Sequence, residues 1–177
     1  AEGNVTGEPT ENALVDFANK NGLKKYEMEA EMPRVGEAPF DSVRKMMSTI
    51  HRTGDNFTQY TKGAPDEVLK KCTSVRRADG SVEVLTQEIR DEILATNHSF
   101  AERALRVLAV AEKSWSRIPE DQSPEGLEYE LVFCGLAGMI DPVRPEVKAS
   151  IEECHAAGIR PVMITGDHKD TAIAIAK

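Results

Sequence analysis

The sequence predicts an α/β chain. Its larger part is an α+β unit of mainly antiparallel, twisted sheet flanked by helices, and half of a parallel βα unit follows it. Three observations carry this. Met46–Arg52 and Phe57–Lys62 are short runs separated by Thr53-Gly54-Asp55-Asn56, the signature of a β-hairpin. Ser74–Leu85 repeats the pattern around Ala78-Asp79-Gly80. Near the end, a helical stretch from Pro145 to Ala157, a stop at Gly158, an apolar run Ile159–Thr165 and then Gly166 read as helix, strand and the start of another helix.

Taken in order, residues 1–9 are polar with Gly and Pro and form a loop. Thr10 suits a helix cap, with Glu11 in the first turn, one apolar face of Ala13, Leu14, Phe17 and Ala18, and Gly22 as the stop. Lys24–Pro39 is a charged connector with one strand near Tyr26–Met32. The first hairpin follows. Phe40 stands before it, and Lys62-Gly63-Ala64-Pro65 closes it. Because the chain goes out and returns, Phe40 and Lys62 are expected near the same end. Pro65 suits a first helical position with Asp66 and Glu67 beside it, and this helix runs to about Cys72. Thr86 caps a longer helix with Ile89, Ile93, Phe100 and Leu105 at helical spacing. Ala104–Ala111 is a buried strand with Arg106 at its start, and Ser114–Gly126, with Trp115, is a surface loop. Glu130–Ile140 is one strand or two, interrupted by Gly135 and Gly138. Asp141-Pro142-Val143-Arg144-Pro145 is a rigid connector, so a boundary is expected between a unit over 1–138 and one over 139–177.

Composition narrows the function classes. The chain has 177 residues, 40% of them hydrophobic and 29% charged, as ordinary soluble domains do. Its net charge of -8 argues against nucleic acid as a partner. Three separated cysteines, Cys72, Cys134 and Cys154, give neither a disulfide framework nor a zinc site. The longest apolar run, Leu131–Ile140, is about half of the roughly 20 residues a membrane span needs. No signal peptide is visible.

The residues around the first hairpin carry the chemistry. An aromatic ring (Phe40), a lysine stem (Lys62) and nearby cations (Arg44, Lys45) suit a purine nucleotide: the ring stacks, the stem packs, and the cations meet phosphates. Gly63 has no Cβ and lets a ligand approach the backbone. Each residue also has a plainer reading. Phe40 and Met47 can be core, Lys45 and Arg44 a solvated face, Glu11 a partner of the helix dipole, Arg106 a surface arginine at a strand end, and Asp167 a helix cap.

The motifs PFDSVRKMMS (39–48) and YTKGAPDEVLKKC (60–72) resemble the nucleotide-binding domain of P-type cation-transporting ATPases, the calcium-pump-like branch in particular. GEPTENAL (7–14), ALRVLAVA (104–111), DPVRPEV (141–147) and MITGDHKDTAIAIAK (163–177) match further motifs of that family in its order, over nearly the whole chain. The resemblance implies that Phe40 stacks on adenine, Lys62 lines the same pocket, Glu11 contacts the adenine amino group, and Arg106 reaches the phosphates. Lys45, Met47 and Gly63 join this set. Asp141 and Arg144 would belong to the hinge. Thr165, Gly166 and Asp167 would face the phosphorylated aspartate from a partial, Rossmann-like phosphorylation domain. One position departs: Ser42 stands where the calcium-pump pattern often has a phosphate-contacting arginine, leaving Arg44 or Lys45 as substitutes. The phosphorylation motif, the magnesium-binding motif and the transmembrane helices of the family do not occur in the sequence, so a soluble, monomeric piece of a larger pump is expected. Its ligand would be ATP, with Mg2+ in the parent protein. Its partners would be the other domains of the same chain, and its place the cytosolic side of a bacterial plasma membrane. A free-standing phosphohydrolase built on Thr165-Gly166-Asp167 is the alternative, and an interaction domain without ligand a third reading.

Overall fold

The computed structural model describes residues 8–103, 105–140 and 145–164. α1 (Pro9–Lys20) begins with Pro9, whose missing N–H would have had no helical partner anyway. Thr10 therefore lies inside the first turn and is not the cap; the cap position is Glu8, which makes no side-chain cap bond. The helix closes as expected. Gly22, at φ +80°, donates to Asn19 O, and Leu23 donates to Ala18 O, the paired bonds of a Schellman ending.

The expected strand near Tyr26–Met32 is instead a helix, α2 (Lys25–Glu31). Tyr26, Met28 and Ala30 alternate as a strand would, but they have no sheet to pack against. The segment is rich in Lys, Glu, Met and Ala, which favour helix, and Lys25 reaches Glu29 one turn on.

β1 (Arg34–Asp41), β2 (Met46–Thr53) and β3 (Asn56–Gly63) form an antiparallel meander. The β2–β3 hairpin is the one the sequence predicts. Thr53 pairs with Asn56, and Gly54 carries a positive φ of 64° at the first central position, as a two-residue turn of the II′ kind requires. Phe40 lies within a strand and not merely before the hairpin. α3 (Pro65–Lys71), β4 (Cys72–Arg76), β5 (Val82–Val84) and α4 (Gln87–Glu102) follow as predicted, except that α4 ends before Leu105; Thr86 Oγ1 accepts from the Ile89 amide to cap α4. β6 (Arg106–Trp115) is longer than predicted: Trp115 ends the strand and is not in a loop, pairing with Phe57. The excursion after it holds one turn of helix, α5 (Pro124–Leu127), and β7 (Leu131–Met139) is a single strand.

The seven strands among the described residues are ordered β1-β2-β3-β6-β7-β4-β5, antiparallel throughout except β4 beside β7. This is the mainly antiparallel sheet that the sequence predicts. Strand parity sorts its two faces. Met46, Ala109 and Ala111 pack with Val68 and Leu69 of α3, Leu131 and Phe133 of β7, and Ile89 and Ile93 of α4. Ile50, Ala38 and Leu127 form a smaller cluster with Phe57 and Trp115. The opposite face, bearing Met47, Thr49, Tyr60, Lys62 and Val110, is approached by α1.

The last unit forms in part. α6 (Pro145–Ala156) ends at Gly158, φ +72°, with the same pair of closing bonds as α1. Residues 159–164 form no strand, contrary to expectation: Val162 is 74% and Ile164 94% exposed. A parallel strand exists only against a neighbour, and among the described residues none pairs with this segment. Asp141, Arg144, Thr165, Gly166 and Asp167 lie outside the described residues.

Candidate functional site

Register builds the site across the sheet. Lys62 of β3 is paired with Met47 of β2 on one side and with Val110 of β6 on the other. On the far side of Met47, Ala38 pairs with Ser48 and Asp41 with Met46, so Pro39 and Phe40 together oppose the single residue Met47. That is a β-bulge, a device that re-aims a side chain. Phe40 is left 64% exposed, an unusual setting for a phenylalanine. Phe40, Met47, Lys62 and Val110 thus form one row over four strands.

α1 lies over this row. Glu11, 51 residues away in sequence, takes Lys62 Nζ with both carboxylate oxygens, at 2.5 and 2.6 Å. Next to it, Thr10 Oγ1 accepts from Arg106 Nη1 at 3.0 Å. The hydroxyl expected to cap α1 therefore ties the helix to the start of β6. Glu11, Met47 and Lys62 line one cavity of about 350 Å³, together with Arg34, Thr49, Tyr60, Thr61 and Val110. Phe40, Lys45, Gly63 and Arg106 do not line it. Arg106 sits four residues along β6 from Val110, roughly 13 Å at strand rise.

The β1–β2 turn fixes the cations beside Phe40. Asp41 Oδ1 accepts from the amides of Val43 and Arg44, both at 2.9 Å, and these bonds hold its carboxyl below the usual range. Lys45 has a left-handed backbone, φ 55°, uncommon for a residue with a side chain. It is held there by two backbone bonds, its N–H to Asp41 O at 2.6 Å and its C=O from Ala64 N at 2.9 Å. Its side chain is exposed, as is Ser42. Arg44 is turned the other way. Its Nη2 donates to Pro39 O at 2.6 Å and its Nε lies 2.7 Å from Glu128 Oε2. The Nε–H is not aimed along that contact, so charge rather than an aligned hydrogen bond holds the pair. Of the two substitutes for the missing arginine at Ser42, only Lys45 keeps its charge in solvent.

Gly63 also has a structural reason. A Cβ there would lie 2.5 Å from Met46 Cβ and 2.7 Å from Met46 Cα, and would press on the Lys45 carbonyl. What approaches Gly63 closely is the chain's own backbone.

Behind the row, on the opposite face of β2 and β3, lies a buried polar network that the sequence reading missed. Ser48 Oγ and Thr61 Oγ1 are 2.8 Å apart, and Ser48 donates to Glu128 Oε1 at 3.1 Å. Gln59 Nε2 donates to Thr61 Oγ1 and Leu127 O, while its Oε1 accepts from Trp115 Nε1 at 3.1 Å. Glu128 is only 2% exposed. These bonds keep β2 and β3 in the one register that brings Met47 and Lys62 together.

Reasoning from sequence also missed Arg34, Thr49, Tyr60 and Val110 in the cavity wall. A signal for two of them existed. Tyr60 and Thr49 are two residues from Lys62 and Met47 in strands already predicted, so alternation puts them on the same face. Burial and then the nearby Glu112 push the Tyr60 hydroxyl above its ordinary pKa. A second cavity, about 310 Å³, lies between α4 and strands β4 and β7, rimmed by Arg76, Arg77 and Cys134. Arg76 is bonded to Glu112 and Arg77 to Glu83. Among the described residues, no three His, Cys, Asp or Glu side chains cluster as a metal site.

Comparison with known proteins adds what geometry alone lacks. The family described as P-type ATPase, cytoplasmic domain N, matches residues 1–146. A calcium-transporting ATPase of Bacillus cereus is 48% identical over 172 residues, which is 97% of this chain and 19% of that protein. One of Listeria monocytogenes is 48% identical over 179 residues, 100% of this chain and 20% of that protein. A cation-transporting ATPase of Synechocystis is 41% identical over 173 residues, 98% and 19% of the two lengths. The chain thus spans about a fifth of the length of the relatives it matches. With the family matched over most of its length and the predicted motifs in place, the chain belongs to the P-type ATPases, in the part that forms their cytoplasmic domain N.

Proposed function

We propose that this chain binds ATP and positions it for a larger cation pump, in which the γ-phosphate passes to an aspartate outside these residues. The observation that carries the reading is the convergence of Glu11, Met47 and Lys62, far apart in sequence, on one cavity of about 350 Å³ beside the exposed ring of Phe40. That volume and its mix of apolar wall with a few polar groups suit a nucleobase. Phe40 stacks on the base, Met47 and the Lys62 stem pack against its edge, and Glu11 accepts from its amino group. Arg106 is separated from this row by a distance that a triphosphate can span, and its guanidinium fork suits two phosphate oxygens. Lys45 supplies a further charge, and its strained backbone has the character of a functional position.

The other elements of the reading are proposals of the same kind. The unit over 1–138 binds the nucleotide, and 139–177, with Asp141, Arg144 and Thr165-Gly166-Asp167, belongs to the phosphorylation domain. The pump moves a cation, calcium in the favoured reading, across a bacterial plasma membrane, with this part on its cytosolic side. Among the described residues, no helix is long and apolar enough to cross a membrane. Mg2+ serves the parent protein; the groups at the phosphate end here are cations, Lys45 and Arg106, which do not fit a magnesium ligand set. The fragment positions the nucleotide and does not turn it over.

The test is titration of the chain with ATP, ADP, AMP and GTP, followed by amide NMR, with Phe40→Ala as the comparison. Stacking on an aromatic is worth about 1–3 kcal/mol by alanine substitution, so affinity should fall roughly 5- to 150-fold. The exposed ring contributes little to the fold, and stability should stay within about 0.5 kcal/mol. Adenine nucleotides that cause no shifts in the folded chain, or that bind Phe40→Ala equally well, would refute the reading.

A further inference from the structure

The wall of the cavity holds a threonine whose hydroxyl is not free to choose its role. Thr49 Oγ1 lies 3.0 Å from His51 Nε2, and the other ring nitrogen, Nδ1, lies 3.0 Å from the carbonyl oxygen of Met32, just after α2. A backbone carbonyl can only accept, so Nδ1 carries the proton. In the neutral ring, Nε2 then has a lone pair and no hydrogen. The bond to Thr49 can form only if the threonine hydroxyl donates. Its proton is committed to His51, and the oxygen has only lone pairs left for the cavity that Thr49 lines with Glu11, Tyr60 and Lys62. The His51 ring is held as well, tilted against Tyr60 with centroids 5.7 Å apart.

From this geometry we infer that Thr49 is a specificity-determining residue, an obligate acceptor that selects a 6-amino purine over a 6-oxo purine, with His51 as the positioning residue that fixes it. The inference rests on the nucleotide-binding reading above. An adenine amino group offers a hydrogen to the Thr49 oxygen. The oxo group of hypoxanthine offers another lone pair, so two acceptors face each other and neither satisfies the other, which is how a polar site rejects a near-isostere. Glu11 acts beside it, since its two oxygens accept from Lys62 and keep further lone pairs for an amino group.

The experiment is calorimetric titration of the chain with ATP and with inosine triphosphate, at about pH 8, toward the neutral end of the histidine range. The chains compared are the wild type, Thr49→Val, Thr49→Ser and His51→Phe. The wild type should prefer ATP. Thr49→Val, nearly the same shape without the hydroxyl, should shrink the ATP-to-inosine ratio about three- to tenfold, and Thr49→Ser should keep it. His51→Phe leaves the Thr49 hydroxyl in place but frees it to donate, so the ratio should shrink there too; that variant carries the test if Thr49→Val does not fold. A Thr49→Val ratio equal to wild type, a Thr49→Ser ratio as low as that of Thr49→Val, or a wild type without preference overturns the inference while leaving ATP binding intact. No binding of either nucleotide overturns the inference and the nucleotide-binding reading together.

Discussion

Replacing Gly63 by alanine separates two accounts of why a glycine ends β3. If a ligand needs the room, Gly63→Ala should fold normally and lose affinity. If the chain itself fills the room, the fold should suffer first. The added Cβ would meet Met46 Cβ at 2.5 Å and Met46 Cα at 2.7 Å, well inside contact distance, and would crowd the Lys45 carbonyl. None of these atoms is the end of a flexible side chain. The Lys45 carbonyl is also the acceptor for Ala64 N at 2.9 Å, so moving it strains the bond that joins the β1–β2 turn to the end of β3. Overpacking of this kind costs about 1–3 kcal/mol, and a weakened backbone bond adds about 1 kcal/mol, for a loss of about 2–4 kcal/mol. At an unhindered strand position the same change would gain roughly 0.5–1 kcal/mol, so the sign itself is informative. Gly36→Ala is the control, because the atoms nearest a Cβ there belong to the side chain of Gln122, which can swing away. Urea denaturation followed by far-UV circular dichroism reads both. Gly63→Ala at wild-type stability, with nucleotide affinity reduced, would refute the steric argument and return Gly63 to the ligand.

Three further outcomes follow from the same geometry. Arg44→Met removes the cation from the buried Glu128 and should cost about 3–5 kcal/mol, most of it recovered in the Arg44→Met/Glu128→Gln pair; equal losses in the single and double variants, measured in urea, would show that the charge is not what matters. Burial pushes the Cys72 thiol up to about 12 and Cys134 to about 11, so both should resist Ellman's reagent at neutral pH until the chain unfolds, and rapid labelling of either in the folded chain contradicts this. Asp41 has a folded pKa lowered by the Arg44 and Val43 amides, so its contribution is present above the unfolded value and is lost as the pH falls through the folded one, below about 4; an acid titration should show wild type losing more stability there than Asp41→Asn, and parallel curves would count against it.

What was legible in the sequence was whatever depends on neighbours along the chain. Both hairpins, the cap at Thr86, the helix start at Pro65, and the stops at Gly22 and Gly158 are local chemistry, and the structure has them where the pattern put them. The joint position of Phe40 and Lys62 at one end of the hairpin was legible for the same reason, since a chain that turns back must bring its ends together. Failures came where a distant partner decides. The alternation Tyr26, Met28, Ala30 is a strand only if a sheet receives it, and none does. The run 159–164 has strand composition and no strand beside it among the described residues. Arg44 looked like a solvated cation because nothing local announces Glu128, 84 positions away and buried.

The candidate site divides along the same line. The identities of Glu11 and Lys62 came from motifs, but their ion pair depends on α1 lying across β3, which no periodicity encodes. Thr49 shows how much can be recovered once a single strand is fixed. Given Met47 on the cavity face, alternation assigns Thr49 to that face, and His51 after it. What remained hidden was the Met32 carbonyl, the one group that sets which nitrogen of His51 carries its proton and hence which way the Thr49 hydroxyl points. It comes from the residue just after α2, at the end of the segment expected to be a strand. The misjudged helix and the unrecognised acceptor thus meet in one segment, and the residue that follows α2 is what gives Thr49 its fixed role.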